Sequence, residues 1–257
     1  MGVNILAIGD IMGASGLNIV TEKLRGIKKL YDAAFVVVNG ENASGVGLTK
    51  DQALEIFDAG ADVITLGNHT WHQKGILTFL DDNEHILRPA NFAPQVPGRG
   101  YGIYETAFGR LAVINLIGRT GMPVDNDNPF HEVDRILKKI DTNLILVDFH
   151  AEMTSEKYAM AYYLDGRVSA LWGTHTHVQT SDARVFSGGL GYITDLGMTG
   201  PIDSVIGMKP EAPISNFLGN PPDRFVPADG PARIEGALFE LDIESGKSKT
   251  VEAFRIS

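Results

Sequence analysis

The chain has 257 residues, which is enough for one or two domains with a substantial buried core. Its 32 acidic and 22 basic residues give a net charge of -10, which excludes the broad basic surface of a nucleic-acid coat or of a protein that binds anionic membranes. Cysteine is absent, so disulfides, thiolate zinc sites, iron–sulfur clusters and cysteine nucleophiles are excluded, and any metal must have nitrogen and oxygen ligands.

Short apolar runs alternate with helical patterns in the first half of the chain. Strands are predicted over residues 4–8, 34–38 and 61–66, and helices over residues 17–31, 51–59 and 72–82, with Thr49 capping the second helix. Such alternation is typical of βαβ units and a mostly parallel sheet.

The second half has a less regular pattern. In chain order, we predict a loop over 89–100, a hairpin of 101–106 and 111–116, a helix over 130–140, a strand over 143–149, a helix over 155–164, a strand over 168–172, a Pro-rich stretch over 201–231, and an antiparallel pair of 234–243 and 249–256. No repeat or linker divides the sequence, so we predict a single domain over residues 1–257.

The N-terminal sequence has neither a basic segment nor a long apolar run, so it does not predict a signal peptide. No stretch approaches the roughly 18 apolar residues that typically cross a membrane. We therefore predict a cytoplasmic protein with no membrane partner and no extended nucleic-acid interface. The sequence is compatible with a homo-oligomer.

Polar clusters follow five of the predicted strands. They lie at residues 9–10, 39–42, 67–69, 148–150 and 173–177. Because ligands of open α/β sheets bind beyond the carboxyl ends of the strands, we expect these clusters to converge at one edge. They bring together carboxylates, carboxamides and four of the seven histidines. Oxygen and imidazole ligands suit Fe, Mn or Zn, and a two-metal site is typical of in-line displacement at phosphorus.

Each cluster alone also has a simpler explanation. Asp10 would more often cap the next helix, Glu41 and Asn42 are common in turns, and His150 would more often be a packed core histidine. His175 and His177 are harder to explain in this way, because alternate residues of an extended segment point to the same side. We therefore predict that this histidine pair binds metal.

The order of the clusters resembles the calcineurin-like metallophosphoesterases and, more narrowly, their YmdB-like branch. Seven blocks carry this resemblance over nearly the whole chain: GDIMG at 9–13, NGENA at 39–43, GNHTW at 67–71, RPANF at 88–92, DFHAE at 148–152, GTHTHVQT at 173–180 and YITDLGMTGP at 192–201. Met12, Glu41 and Thr70 stand where most of the wider superfamily has histidine, aspartate and an acidic residue. These three differences are shared with the YmdB-like branch.

The resemblance implies an α/β protein with the calcineurin-like metallophosphoesterase fold, in which mixed β-sheets form a sandwich flanked by helices in four αββα layers. It also implies two divalent or mixed-valence metal ions, iron or alternatively manganese. One ion would be held by Asp10, Glu41, Asn42 and His177. The other would be held by Glu41, Asn68, His150 and His175, with Glu41 bridging the two ions.

The activity that the resemblance implies is hydrolysis of small phosphodiesters, in particular 2′,3′-cyclic nucleotides such as 2′,3′-cyclic AMP. A metal-bridging hydroxide would attack phosphorus in line, and His69 would protonate the leaving alkoxide. An alternative is a regulatory nucleotide-binding protein of a bacterial signalling pathway whose hydrolysis is incidental. A dinucleotide-binding enzyme is disfavoured, because Gly9, Gly13 and Gly16 lack the G-x-G-x-x-G spacing.

Overall fold

The computed structural model describes residues 2–257. The strands are β1 (Gly2–Ile8), β2 (Asp10–Ile11), β3 (Ala33–Asn39), β4 (Val63–Thr65), β5 (Ile86–Leu87), β6 (Tyr101–Thr106), β7 (Gly109–Ile117), β8 (Leu144–His150), β9 (Ala170–Thr174), β10 (Arg184–Val185), β11 (Gly191–Ile193), β12 (Met198–Pro201), β13 (Ala232–Asp242) and β14 (Ser248–Ile256). The helices are α1 (Gly13–Leu30), α2 (Lys50–Asp58), α3 (Leu77–Asp82), α4 (Pro129–Leu137), α5 (Thr154–Leu164) and α6 (Glu211–Phe217).

The strands form two mixed sheets. The first has the order β2-β12-β13-β1-β3-β4-β5, with β14 also paired to β13, and the second has the order β10-β11-β9-β8-β7-β6. Strands β1, β3, β4 and β5 run parallel in the first sheet, as do β7, β8, β9 and β11 in the second. The antiparallel pair β13–β14 confirms the predicted C-terminal pairing.

Alternating side chains of the central strands divide the core into layers. On β1, Leu6 and Ile8 pack with apolar residues of α1 and α2, whereas Ile5 points to the core between the sheets. On β8, Leu146 points to that same inner core and Val147 packs with residues of α4 and α5. Each central strand is thus buried on both faces, as expected of parallel strands covered by helices. The predicted four-layer αββα arrangement is confirmed.

Local sequence explains where several helices begin. The Thr49 side chain accepts a hydrogen bond from the Gln52 amide, and the Gln52 side chain accepts one from the Thr49 amide, so the predicted cap of α2 is confirmed. The Asn128 side chain caps α4 by accepting a hydrogen bond from the Phe130 amide, and Pro129 occupies the first turn, where the missing N–H costs nothing. Such caps are each worth about 1 kcal/mol.

Two segments differ from the sequence prediction. The helix predicted over 72–82 is a 3₁₀ turn at Lys74–Ile76 followed by the shorter α3, and Gly75 within the turn lowers helix propensity. The Pro-rich stretch contains α6, whose Pro213 lies in the first turn, where proline is tolerated. No helix within residues 2–257 has the length and hydropathy needed to cross a membrane. The single domain over 1–257 stays a prediction.

Candidate metal centre

The carboxyl ends of five strands from both sheets meet at one edge of the sandwich. Strands β1, β3 and β4 lie side by side in the first sheet, and β8 and β9 lie side by side in the second. Each is followed by, or ends in, one of the polar clusters found in the sequence. The structure brings all eight predicted site residues into one connected group: Asp10, Glu41, Asn42, Asn68, His69, His150, His175 and His177.

One half of this group surrounds the Nε2 atom of His150. Glu41 Oε1 lies 3.1 Å from that nitrogen, Asn68 Oδ1 lies 3.0 Å away, and His175 Nδ1 lies 3.1 Å away. Ligands bonded to one metal at about 2.0–2.2 Å sit roughly 3 Å from each other. Glu41, His150 and His175 also offer ligand atoms that all lie within 4.8 Å of one another. These separations fit a single metal ion.

The other half contains Asp10, Asn42 and His177. Asp10 Oδ1 lies 3.9 Å from His177 Nε2 and 4.0 Å from His150 Nδ1. Asp10 is fully buried, and within residues 2–257 its Oδ1 has no hydrogen-bond partner. Burying a carboxylate oxygen without a partner is costly, whereas a metal ion would satisfy it. The donor chemistry therefore fits a second cation beside the first.

Both the nitrogen and the oxygen of the Asn42 carboxamide contact neighbouring side chains. Its Nδ2 lies 3.2 Å from Glu41 Oε1 and 3.2 Å from His177 Nε2, while its Oδ1 lies 2.8 Å from His69 Nδ1. A metal bonds to the oxygen of a carboxamide, so coordination requires a half-turn of this group. The role of Asn42 as a ligand stays a prediction.

The charges in the group are unbalanced. Burial raises the pKa of Asp10 to about 7, against the opposing effects of His177 and His150. Burial would also raise the pKa of Glu41, but neighbouring His150 outweighs burial and holds that pKa well below its usual range. Burial and the nearby His150 together lower the pKa of His175 to about 3. Burial would lower the pKa of His150, but Glu41 and Asp10 outweigh burial and raise that pKa to about 9. Two buried carboxylates thus share one protonated imidazole, and bound cations would satisfy both carboxylates in its place.

A hydrogen-bonded chain behind the group orients His150. Its Nδ1 lies 2.9 Å from Thr174 Oγ1, and that hydroxyl donates to Asp148 Oδ1 at 2.7 Å. Thr65 Oγ1 donates to the other oxygen of Asp148 at 2.5 Å. Because the single hydroxyl hydrogen of Thr174 is used on Asp148, its oxygen accepts from His150 Nδ1. This arrangement leaves Nε2 as the ligand nitrogen, the usual pattern around metal-binding histidines.

The turn that carries His175 and His177 is strained. Their φ angles are 98° and 62°, in the left-handed region that residues other than glycine rarely adopt. The expectation of an extended segment with alternating side chains is therefore wrong, although both imidazoles reach the group. The turn is held by Asp195, whose Oδ2 accepts from Thr176 Oγ1 at 2.8 Å and from the fully buried Lys157 at 2.7 Å. Lys157 also donates to the Thr174 carbonyl at 3.0 Å.

His69 lies on the solvent side of the group. Its backbone N–H donates to Glu41 Oε2 at 3.1 Å, and its Nδ1 bonds the carboxamide oxygen of Asn42. Burial lowers the pKa of His69. Its side chain is 30% exposed, against 0% for His150 and 9% for His177. Of these histidines, His69 is therefore the one that an incoming molecule reaches most easily.

A cavity of about 280 Å³ opens beside the group. Its polar end is formed by Glu41, Asn42, His69, His175 and His177. Another part of the lining, which we call the apolar wall, consists of Val205, Ile206, Met208, Pro213, Phe217 and Phe225. The wall adjoins the metal centre at Ile206, whose carbonyl oxygen lies 2.9 Å from His177 Nδ1. Sequence reasoning missed this wall, because the stretch 201–231 showed only its proline content. It also assigned no role to Asp148, Lys157 or Asp195, because their roles depend on distant partners.

The glycines after β1 have a structural explanation. A Cβ atom at Gly9 would lie 2.3 Å from the Gly197 carbonyl oxygen, and one at Gly16 would lie 2.2 Å from the Thr199 carbonyl oxygen. Both positions are therefore glycine because the backbone around β12 approaches them closely. The dinucleotide-binding interpretation gains no support from them.

Two known proteins are similar to this chain over nearly its whole length. Over 258 aligned residues the chain is 44% identical to the 2′,3′-cyclic-nucleotide 2′-phosphodiesterase of Bacillus subtilis strain 168, with 99% of this chain and 97% of the relative covered. The crystal structure of a novel phosphatase from Mycoplasma pneumoniae superimposes with a TM-score of 0.95 at 36% identity, covering 100% of this chain and 94% of that one.

A more distant Staphylococcus aureus structure, described as a candidate 5′-nucleotidase, shows the fold alone. It has a TM-score of 0.63 at 14% identity and covers 100% of this chain but 54% of that chain. This likeness is consistent with the predicted calcineurin-like fold. The sequence also matches the family described as YmdB-like protein over residues 6–254. The chain therefore belongs to the YmdB-like family.

Proposed function

We propose that this protein hydrolyses small phosphodiesters at a two-metal centre, with 2′,3′-cyclic nucleotides as its substrate class. Membership of the YmdB-like family makes the chain a hydrolase of the phosphodiesterase type. The observation that carries the proposal is the grouping of Glu41, His150 and His175 within ligand distance of one another, beside a cavity that Glu41 and His175 line, with Asp10 buried next to them.

The cavity lining supports a metal-dependent reaction. Within the described chain, no lysine or arginine lines the cavity, and its polar end contains only Glu41, Asn42 and three histidines. An anionic phosphodiester placed beside Glu41 and Asp10 would be repelled unless cations neutralised these carboxylates. Metal ions, when bound, supply Lewis-acid stabilisation and a water-derived nucleophile for attack on phosphorus.

The residues that would hold the ions divide into two sets around Glu41. Asp10, Asn42 and His177 would form one set, and Asn68, His150 and His175 would form the other. Glu41 contacts both sets, through Asn42 and through His150. This position supports Glu41 as the bridging carboxylate. The bound ions would be iron or, alternatively, manganese, both of which accept such nitrogen and oxygen ligands.

His69 is assigned as the general acid. In the present orientation the carboxamide oxygen of Asn42 accepts from His69 Nδ1. After the half-turn that metal coordination requires, Asn42 Nδ2 would donate to Nδ1 instead, and in either orientation Nε2 is the nitrogen that can exchange a proton. As the ester bond to phosphorus breaks, that proton would pass to the leaving ribose oxygen. The negative charge of a bound diester favours the protonated ring and so opposes the effect of burial.

Replacing His69 tests the proposal most directly. We expect His69→Ala to retain its metal, by elemental analysis, and to lose about 10²–10⁴-fold in kcat on 2′,3′-cyclic AMP. His131→Ala, on the exposed face of α4, serves as the matched control and should keep full activity. Undiminished turnover by the His69 variant would show that another group protonates the leaving oxygen.

Replacing ligands tests the metal centre itself. We expect Asp10→Ala and His175→Ala to bind less metal than the unaltered protein, which should contain about two ions per chain. Unchanged metal content in both variants would contradict the ligand assignment. Tight cyclic-nucleotide binding with negligible turnover by the metal-loaded protein would instead support the alternative of a regulatory nucleotide-binding protein.

A further inference from the structure

The apolar wall is unusual because its large side chains are exposed. Phe217 is 90% exposed, Ile206 is 53% exposed and Phe225 is 47% exposed. All three line the same cavity as His69 and His177. Large apolar side chains grouped at one exposed surface typically mark a binding site, whereas single exposed ones need no explanation.

The cavity has two chemically different ends. Every lining residue outside the metal centre is apolar or glycine, namely Met12, Gly45, Val46 and the six residues of the apolar wall. A ligand that fills the cavity must therefore have an anionic end for the metal centre and an apolar face for the wall. A nucleoside cyclic phosphate has this form, because the ribose joins its phosphate to a flat aromatic base whose faces stack on apolar side chains.

We propose that the apolar wall is the nucleobase-binding part of the site, with the base against Phe217 and Phe225. This inference rests on the proposed function and deepens it. Aromatic side chains stack on any base through its π-face, and such stacking is tolerant of sequence. Since the wall offers no polar side chain, it distinguishes substrates with a base from substrates without one, and discriminates weakly between bases.

A comparison of two cyclic diesters tests this inference. Both 2′,3′-cyclic AMP and glycerol 1,2-cyclic phosphate contain the same five-membered cyclic phosphate, but the glycerol compound lacks a base. We expect Phe217→Ala with Phe225→Ala to lower kcat/KM for 2′,3′-cyclic AMP by about tenfold or more, mainly through KM. The same double variant should hydrolyse the glycerol diester at an unchanged rate. For 2′,3′-cyclic CMP, the double variant should show nearly the same decrease in kcat/KM as for 2′,3′-cyclic AMP.

Leu218→Ala is the matched control for this experiment. Leu218 follows α6 directly and is 75% exposed, but it does not line the cavity. Its replacement should leave both rates unchanged, because it removes exposed apolar surface outside the cavity. If Leu218→Ala lowered kcat/KM for 2′,3′-cyclic AMP as much as the double variant does, α6 would be acting through folding. That result would overturn the inference.

Other outcomes separate the inference from the proposed function. If the unaltered, metal-loaded protein hydrolyses neither diester, the proposed function itself fails. If it hydrolyses both and the double variant lowers both rates equally, base recognition by the wall is overturned. A double variant that also changes molecular mass in solution would identify the wall as a contact between copies of the chain, which likewise overturns base recognition.

Discussion

The metal centre and the apolar wall line one cavity, but different interactions hold them in place. The metal centre lies at strand ends, and its supporting side chains Lys157, Asp148 and Asp195 are fully buried. The apolar wall lies between β12 and β13 on loops and the short helix α6, and several of its side chains are exposed. Substitutions should therefore affect folding and metal binding on one side and substrate choice on the other.

The largest effect on stability is expected from Lys157→Ala. This change leaves Asp195 buried without its cation, and breaking a buried pair in this way costs about 3–5 kcal/mol in the free energy of unfolding. Urea denaturation followed by circular dichroism measures the change. Lys209→Ala breaks an exposed pair with Asp229 next to the apolar wall and should cost less than about 1 kcal/mol. Equal decreases in the free energy of unfolding for the two variants would contradict the difference between the metal centre and the apolar wall.

Metal addition should stabilise the folded chain through the metal centre and not through the apolar wall. At a free metal concentration about 100-fold above Kd, we expect roughly 2.7 kcal/mol of additional stability, seen as a higher Tm. Chelation should reverse the shift. His175→Ala should respond more weakly, whereas Phe217→Ala should respond like the unaltered chain. A shift of equal size in the His175 variant would argue against that ligand.

A smaller effect is expected from Asp148→Asn. The amide would face the Thr65 or Thr174 hydroxyl with a donor instead of an acceptor, and this would loosen the orientation of His150. Loss of such a supporting contact typically lowers metal affinity about 10–100-fold. Metal titration measures this change, and Asp134→Asn on the exposed surface of α4 should leave the affinity unaltered. Unaltered affinity in the Asp148 variant would show that Thr174 alone orients the ring.

The smallest effect on folding is expected from Phe217→Ser on the apolar wall. Because 90% of this side chain is exposed, its replacement should change the free energy of unfolding by no more than about 0.5 kcal/mol. Thermal denaturation with and without metal measures the difference. A loss above 2 kcal/mol would mean that Phe217 contributes to the folded core rather than to the cavity.

The same contrast explains what the sequence could predict. Strand periodicity predicted βαβ units with parallel strands, and the polar residues after each strand predicted that Asp10, Glu41, Asn68 and His150 converge at one edge. These features are local in sequence. Parallel strands place their carboxyl ends at one edge of a sheet, so the polar residues that follow them lie close together. The four-layer sandwich was predicted only from the family resemblance, which also supplied the ligand roles.

The remaining features depend on contacts between distant segments. The left-handed turn at His175 and His177 arises from Asp195 and Lys157, which are far from it in sequence and carry no local signal. The apolar wall could not be predicted either, since exposed phenylalanines in a Pro-rich stretch have no periodicity. Whether such side chains are buried depends on tertiary packing, which periodicity does not report.

The division of ligands between the two sheets has a mechanical consequence. Asp10 lies in the first sheet, and Glu41 and Asn68 follow strands of that sheet. His150 ends a strand of the second sheet, and His175 follows another. A metal ion bound among them would be coordinated from both sheets and would therefore link one sheet to the other. Sliding of one sheet over the other by even 1 Å would separate carboxylates from imidazoles. Packing between residues such as Ile5 and Leu146 is therefore part of what sets metal affinity, far from the cavity itself.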